Sequence, residues 1–445
     1  MTTTSPSPSP SPSPSPSWRG RPPMTVTTVH PPAVDPLRWP DVARVPHAPL
    51  RAAAAGRLLR RAAALRGLRI ELPGSPDAPG SPDAQDAPVL RLHRPAAFAH
   101  RVGAGGLIGF GEAYQAGDWD SPDLARLLTA LAARPETLVP PGTGWLRRLY
   151  VRRPPAAERP TTANAPRNIH RHYDLSNELF ALFLDPTMSY SSAVFSAPSA
   201  ATRWADLVPA QHRKIDRLLD LARVGPGTRL LEIGTGWGEL ALRAAARGAE
   251  VTTLTLSAEQ LALARRRIAD AGQSDRVDVR LCDYRQARGS YDAIVSCEMI
   301  EAVGRPFWPA YFTALDRLLA PGGRVALQAI TMPHDRMLAS SDTYTWILKY
   351  VFPGGQIPSL RAIADTAAAH TRLRVHSADA YGPHYAETLR LWRERFTERA
   401  GQVAELGFDE VFRRMWELYL AYSEAGFRTG YLNVHQVLLD RDGER

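Results

Sequence analysis

The chain has 445 residues, too many for one small domain and enough for two or three. Hydrophobic residues make up 44% and charged residues 22%, which excludes a wholly disordered, collagen-like or membrane-embedded protein. The formal net charge is +9, and Lys214 and Lys349 are the only lysines among 54 basic residues. Such an arginine excess suits an anionic partner, phospholipid or nucleic acid, and equally suits a GC-rich coding bias. The two cysteines, Cys282 and Cys297, sit in short apolar runs that predict buried strands and inert core thiols, not a disulfide framework. The sequence contains no run of about 18 apolar residues and no apolar signal-peptide core. The expectation is therefore a cytoplasmic protein.

Residues 5–16 are six Ser-Pro pairs, and the segment 1–35 is expected to be a disordered tail because it has no apolar face to bury. Met24 offers a second candidate start. Residues 36–140 predict a smaller, mainly helical domain. Within it, 50–70 sets Leu58, Leu59, Leu65 and Leu68 against Arg57, Arg60, Arg61 and Arg66, which predicts an amphipathic helix with a basic face. The Pro, Gly and Asp of 73–88 read as a surface loop. Asp120 to Asp123 offer helix-starting residues before an apolar-periodic run. The Pro- and Arg-rich stretch 141–166 predicts a linker, and its upstream WLRRLYVRRPP, from Trp145, fits a membrane interface as well as a solvated connection.

From 167 onward short β-rich runs alternate with Ala- and Leu-rich helices, which predicts a doubly wound α/β domain over 167–445. Strands are expected at 228–233, 250–256, 277–282, 293–297 and 324–330. The segment LLEIGTGWGELALRAAARG, residues 230–248, reads as strand, glycine turn and helix. Gly234, Gly236 and Gly238 let the backbone turn sharply and approach a ligand that any side chain would obstruct. The spacing is GxGxG with an acid, Glu232, just before it. This resembles the turn of S-adenosylmethionine (SAM) methyltransferases, in which the acid meets the cationic amino-acid end of the cofactor. Asp283, after the third strand, can accept from an adenine amino group, with Tyr284 beside it. Thr255 and Gln260 stand where an acid usually holds the ribose hydroxyls. Residues 318–330 (LLAPGGRVALQAI) read as a helix end, a Pro-Gly-Gly turn and a strand.

With residues 168–195 (NIHRHYDLSNELFALFLDPTMSYSSAVF), TLTLSAEQ, EMIEAVG and YTWILKYVFPGGQIPS, the chain resembles the cyclopropane fatty acid synthase and mycolic acid methyltransferase family, and within it the tuberculostearic acid (10-methyl fatty acid) methyltransferases. The resemblance implies a Rossmann-like SAM methyltransferase fold and transfer of a methyl group to the cis double bond of a phospholipid acyl chain, most simply oleoyl. It implies a site at the inner face of the cell membrane, no nucleic acid partner, and a separate reductase if the product is the saturated 10-methyl acid. Tyr190, Ser191, Glu232, Gly234, Thr235, Gly236, Trp237, Gly238, Thr255, Gln260, Asp283 and Tyr284 are the expected cofactor contacts; Trp237 can also pack on the following helix.

In ring-forming members a bound bicarbonate acts as base, held by backbone amides and a Cys, Glu, His, Ile, Tyr set. Matched motif by motif, these positions are Ser192, Glu301, Gln328, Ile330 and Tyr385 here, and Ala302 replaces a second histidine. The backbone donors of Ser192 and Ile330 are expected to survive the substitutions. Gln328 has no imidazole, so bicarbonate affinity should be low, and the resemblance favours a methylene-branched product with Glu301 taking or orienting the departing proton. Tyr173 and His172 in HYDLSN are further site candidates, or a capped helix start. Tyr385 also fits the inward face of an ordinary helix. His170, His334 and His384 have no spacing that unites them, so no metal is expected. The remaining alternatives are a cyclopropane synthase and a non-catalytic lipid-binding protein, and the intact Glu232, glycines and Glu301 argue against the latter.

Overall fold

The computed structural model describes residues 32–74, 87–133, 155 and 176–441. The Ser-Pro tail, the linker and the candidates His170, His172 and Tyr173 lie outside the described residues.

The larger lobe is built on a seven-stranded sheet in the order β6-β5-β4-β7-β8-β10-β9. Its strands are β4 (Arg229–Ile233), β5 (Glu250–Thr255), β6 (Val277–Leu281), β7 (Tyr291–Cys297), β8 (Leu319–Thr331), β9 (Leu373–Ala380) and β10 (Asn433–Arg441). The first five run parallel, and β10 is antiparallel to both β8 and β9. Leu230, Leu231, Ile233, Ala293, Ile294 and Val295 are all buried, as strands covered by helices on both faces require. Successive strands are placed on opposite sides of β4 and β7, so their carboxyl ends open a crevice there, the usual ligand position in such sheets.

The five expected strands are present, and β9 and β10 were not anticipated. The Pro-Gly-Gly element also differs from expectation. Strand β8 begins at Leu319, and the register jumps from Tyr291↔Leu319 to Ala293↔Arg324, so Pro321, Gly322 and Gly323 form a bulge within a pairing strand. Gly323 is close-packed there: a Cβ would lie 2.9 Å from the Asp292 carbonyl oxygen.

The N-terminal lobe combines helices with a small sheet that the sequence reading omitted: β1 (Arg69–Glu71), β2 (Val89–Leu92) and β3 (Trp119–Asp120). Asp118 lies at its centre, fully buried and paired with Arg94 (2.7 Å) and Arg101 (3.0 Å). Asp123 caps the helix Leu124–Ala132 by accepting from the Arg126 backbone N–H at 3.0 Å, as expected. The helix Pro49–Arg66 exists, but its leucines do not form a buried stripe. Ala52 and Ala62 face inward, while Leu50 (87% exposed), Leu58 and Leu65 point out alongside Arg57, Arg60 and Arg61. Alanines win the inner face because the neighbouring helix Pro95–Gly105 approaches too closely for anything larger. At Gly103 a Cβ would sit 2.6 Å from the Arg51 carbonyl carbon.

The lobes are joined through the short helix Trp346–Tyr350 and the long helix Glu410–Arg428. Trp346 Nε1 donates to Gln115 at 2.8 Å, Lys349 meets Glu112 (2.5 Å) and Asp41 (2.6 Å), and Arg414 donates to the carbonyls of Tyr114 and Trp119. Gly111 is the tightest point, since a Cβ there would lie 2.3 Å from Trp346 Cδ1. Gly111→Val should therefore cost about 1–3 kcal/mol through overpacking, read as a lower urea midpoint. An unchanged midpoint would mean that the indole moves aside freely.

Candidate active site

Beyond β4 the glycine turn adopts φ values of 102°, 52° and 92° at Gly234, Gly236 and Gly238, in the left-handed region that side-chain-bearing residues avoid. The turn is tied to the end of β5, because the N–H groups of Gly234 and Thr235 both donate to the Leu254 carbonyl at 3.0 Å. Thr253 donates to Thr235 Oγ1 at 2.7 Å. A Cβ on Gly236 would meet nothing within 4 Å, so the turn's open side faces a cavity of ≈ 190 Å³.

All twelve expected cofactor contacts except Gly238 line this cavity. Gly238 instead starts the helix Glu239–Ala246. The opposite wall is the segment 185–192, held down from several sides. Arg267 donates to the carbonyls of Thr187 (3.1 Å) and Trp237 (2.7 Å), Gln211 to that of Ser191 (2.9 Å), and Lys214 Nζ to Ser191 Oγ (2.6 Å). Trp237 is buried and donates to Asn177 at 2.7 Å, with its ring 5.0 Å from that of Phe180.

Polar groups divide the cleft. At the β6 end, both oxygens of Asp283 accept from Arg285, at 2.8 and 2.5 Å, and Oδ2 retains a further lone pair. Thr255 donates to Gln260 Oε1 at 2.9 Å. At the β4 end, Glu232 is buried with one carboxylate oxygen unpartnered, and burial raises its pKa to about 8. A cationic group entering the cleft would satisfy it. A carboxylate seeking a cation, glycines that open the backbone, and a polar pair at the ribose position fit SAM. Cys282 lies just past β6 and Cys297 ends β7; both border the cleft as free, half-buried thiols, correcting their assignment to the core.

The second half of the site was only partly anticipated. Ser192, Gln328 and Tyr385 do converge, but on Glu298, which was not singled out. Glu298 Oε1 accepts from Ser192 N–H (2.9 Å) and Gln328 Nε2 (2.8 Å), and its Oε2 accepts from Tyr385 O–H (2.7 Å). Ile330 N–H donates to Glu301 Oε1 at 2.5 Å. The two backbone donors expected to remain for a bound anion are thus both engaged by carboxylates of the chain. Glu298 holds φ 50°, a left-handed conformation costing of order 1–2 kcal/mol for a residue with a side chain. A second acid three residues before Glu301 in EMIEAVG was the available signal.

Burial and the neighbouring Glu298 charge lift Glu301 to about 8, and burial raises Glu298 as well. Glu301 Oε2 has no hydrogen-bond partner. Gln436, buried on β10, donates to Gln328 Oε1 at 3.1 Å and so turns the Gln328 amide with its N–H groups toward Glu298. An aromatic cluster extends from Tyr385, the ring bonded to Glu298. Tyr385 lies 4.5 Å from Phe427, Tyr190 lies 5.4 Å from Trp392, and Tyr190 O–H is bonded to Tyr419 O–H at 2.7 Å. Among the described residues no group of three His, Cys, Asp or Glu could hold a metal.

Sheet order, glycine turn and cleft together define an S-adenosylmethionine-dependent methyltransferase. The mycolic acid cyclopropane synthetase family matches residues 161–437, and the chain belongs to it. Tuberculostearic acid methyltransferase UfaA1 of Mycobacterium tuberculosis is 56% identical over 94% of this chain and 100% of its own. The cyclopropane-fatty-acyl-phospholipid synthase of Escherichia coli is 35% identical over 61% of this chain and 67% of its own. Among solved structures, mycolic acid cyclopropane synthase CmaA1 complexed with SAH and CTAB superposes with a TM-score of 0.56 at 32% identity, covering 62% of this chain and 97% of that one.

Glu232 and Glu301 favour the protonated form in the fold, so each adds stability at low pH that is lost as pH rises from the ordinary carboxyl range through about 8. The ligand-free protein should show a falling Tm from pH 5 to 8, and Glu232→Gln should flatten part of that slope in calorimetry.

Proposed function

We propose that the protein transfers a methyl group to the cis double bond of an oleoyl chain in a phospholipid and releases a 10-methylene product, which a separate reductase saturates to the 10-methyl acid. The observation that carries this reading is Glu298, whose carboxylate takes up three of the donors that the resemblance assigns to bicarbonate, Ser192 N–H, Gln328 and Tyr385, while Glu301 takes the Ile330 N–H.

Bound SAM supplies an activated methyl for a weak carbon nucleophile. Attack by the π bond on that methyl would form the new C–C bond as the S–CH3 bond breaks, releasing S-adenosylhomocysteine, and would leave a cation on the adjacent carbon; a 1,2-hydride shift would move the positive charge to the methyl-bearing carbon. The ring faces of Tyr385, Phe427, Tyr190 and Trp392 and the fixed carboxylate of Glu298 supply negative potential there while excluding water. A proton must then leave the new methyl group. Glu298, already accepting three hydrogen bonds, is a poor acceptor. Glu301 Oε2 is buried, unpartnered and raised toward neutrality, the properties of a general base. Loss of that proton to Glu301 creates the C=CH2 double bond of the methylene branch without ring closure.

The experiment is expression in a host supplied with oleate and proton NMR of its lipids. Vinylic methylene signals are expected, and upfield cyclopropyl signals would establish the ring-forming alternative. Glu298→Ala should lower product formation about 100-fold, with partial recovery on added bicarbonate; full activity without it would remove Glu298 from the mechanism. Because Glu301 must be ionised to accept a proton, turnover should rise with pH along a limb ending near 8, and Glu301→Gln should abolish it.

The substrate lies in a bilayer, and among the described residues no helix is long and apolar enough to cross one. The outer face of Pro49–Arg66 presents Leu50, Leu58 and Leu65 interleaved with Arg57, Arg60 and Arg61, a composition suited to resting on an anionic surface. Replacing the three arginines by serine should weaken binding to anionic vesicles on the order of fivefold per charge in co-sedimentation. Equal binding of the two proteins would move the contact elsewhere.

A further inference from the structure

We propose that Lys214 holds the α-carboxylate of the cofactor's methionine moiety, so that Lys214 and Glu232 together recognise an amino-acid zwitterion at the β4 end of the cleft. The proposal rests on the use of SAM and is independent of which lipid product forms.

Lys214 projects from the helix Leu207–Leu221 and lines the cavity, yet is only 2% exposed. An ammonium carries three donors. This one makes a single short hydrogen bond, to Ser191 Oγ at 2.6 Å, and a long contact of 3.8 Å to Cys297 Sγ. Among the described residues no carboxylate forms an ion pair with it, although its charge is felt by Glu232, Glu298 and Asp185. A buried cation without a paired anion is costly, and its place on the wall of a ligand cleft indicates that the anion arrives with the ligand.

The rest of the cleft's charges leave this role to Lys214. Arg285, the other cation in the lining, is bound at both carboxylate oxygens of Asp283. Glu232, with its unpartnered oxygen, is matched to the ligand's ammonium, and a carboxylate on the same carbon then needs a positive partner close by. The chain otherwise uses arginine almost throughout. Its one other lysine, Lys349, is accounted for by ion pairs to Asp41 and Glu112. A compact ammonium fits the enclosed space between Ser191 and Cys297, where a planar guanidinium fork needs more room and more acceptors.

The test is calorimetric and uses the reaction product S-adenosylhomocysteine beside its decarboxylated analogue, so that no turnover intervenes. The full-length wild-type chain should bind the decarboxylated ligand about tenfold to a hundredfold more weakly, the range of a charge-assisted hydrogen bond. Lys214→Met should lose a similar factor for S-adenosylhomocysteine and should no longer distinguish the two ligands. Equal wild-type affinity for both ligands overturns the proposal without any substitution. So does a folded Lys214→Met protein that keeps the wild-type preference. If Lys214→Met does not fold, Lys214→Gln, which retains a donor toward Ser191, carries the same comparison.

Discussion

Two carboxylates, Glu298 and Glu301, are sunk into the protein on one short segment, and among the described residues neither has a cation in contact. Burial on that scale is tolerated only when hydrogen bonds replace the lost water. The replacements come from distant parts of the chain. Ser192 N–H arrives from the segment over the cofactor cleft, Gln328 and Ile330 N–H from β8, and Tyr385 from the helix Gly382–Glu398. Gln436 on β10 then fixes the face of the Gln328 amide. The antiparallel pairing of β10 with β8, in which Gln436 stands opposite Gln328, thus determines which way the Gln328–Glu298 hydrogen bond points. The arrangement stops short of full satisfaction at one atom, Glu301 Oε2, the atom to which the proposed function assigns the departing proton.

The same incompleteness recurs in the cofactor cleft, and its position is informative. At the β6 end the charges cancel within the chain, Asp283 against Arg285. At the β4 end Glu232 and Lys214, among the described residues, each lack an oppositely charged partner in contact, although their opposite signs favour one another at longer range. Holding them apart keeps both available to a ligand that carries both charges. A direct Lys214–Glu232 pair would have to be broken at each binding event, at the cost of leaving two buried charges uncompensated.

Much of this was readable from residue order. The glycine turn with its preceding acid located the cofactor, because left-handed backbone and close approach are properties glycine alone supplies. The motif correspondence brought Ser192, Gln328, Ile330, Glu301 and Tyr385 to one place. Glu298 escaped because matching positions to an expected set asks which residue replaces each member, and offers no slot for a residue that replaces the bound anion itself. Lys214 escaped because it lies on a helix upstream of the motif. Its rarity in an arginine-dominated chain was visible, but its burial was not. The leucines of Pro49–Arg66 misled for a different reason. Helical spacing records which residues share a face, whereas the distance to the neighbouring helix decided that alanine, and not leucine, would be the buried one.

The N-terminal lobe is connected to these acids by a continuous set of contacts. Trp346 and Lys349 are fastened to Gln115 and Glu112 of the lobe, and the chain leaving their helix places Phe352 against Tyr419, 5.5 Å between rings. It then passes Gln356, whose N–H donates to the Glu301 carbonyl at 2.7 Å. Tyr419 in turn is bonded to Tyr190 beside the cofactor turn. A lobe whose outer helix presents leucine and arginine to its surroundings is therefore coupled through packed side chains to the backbone of Glu301. Under the proposed function an acyl chain is drawn from a bilayer to meet the methyl donor in one orientation, and for that a rigid connection serves better than a flexible one. Close approach at Gly103 and Gly111 supplies that rigidity, because neither contact leaves room for a second packing arrangement.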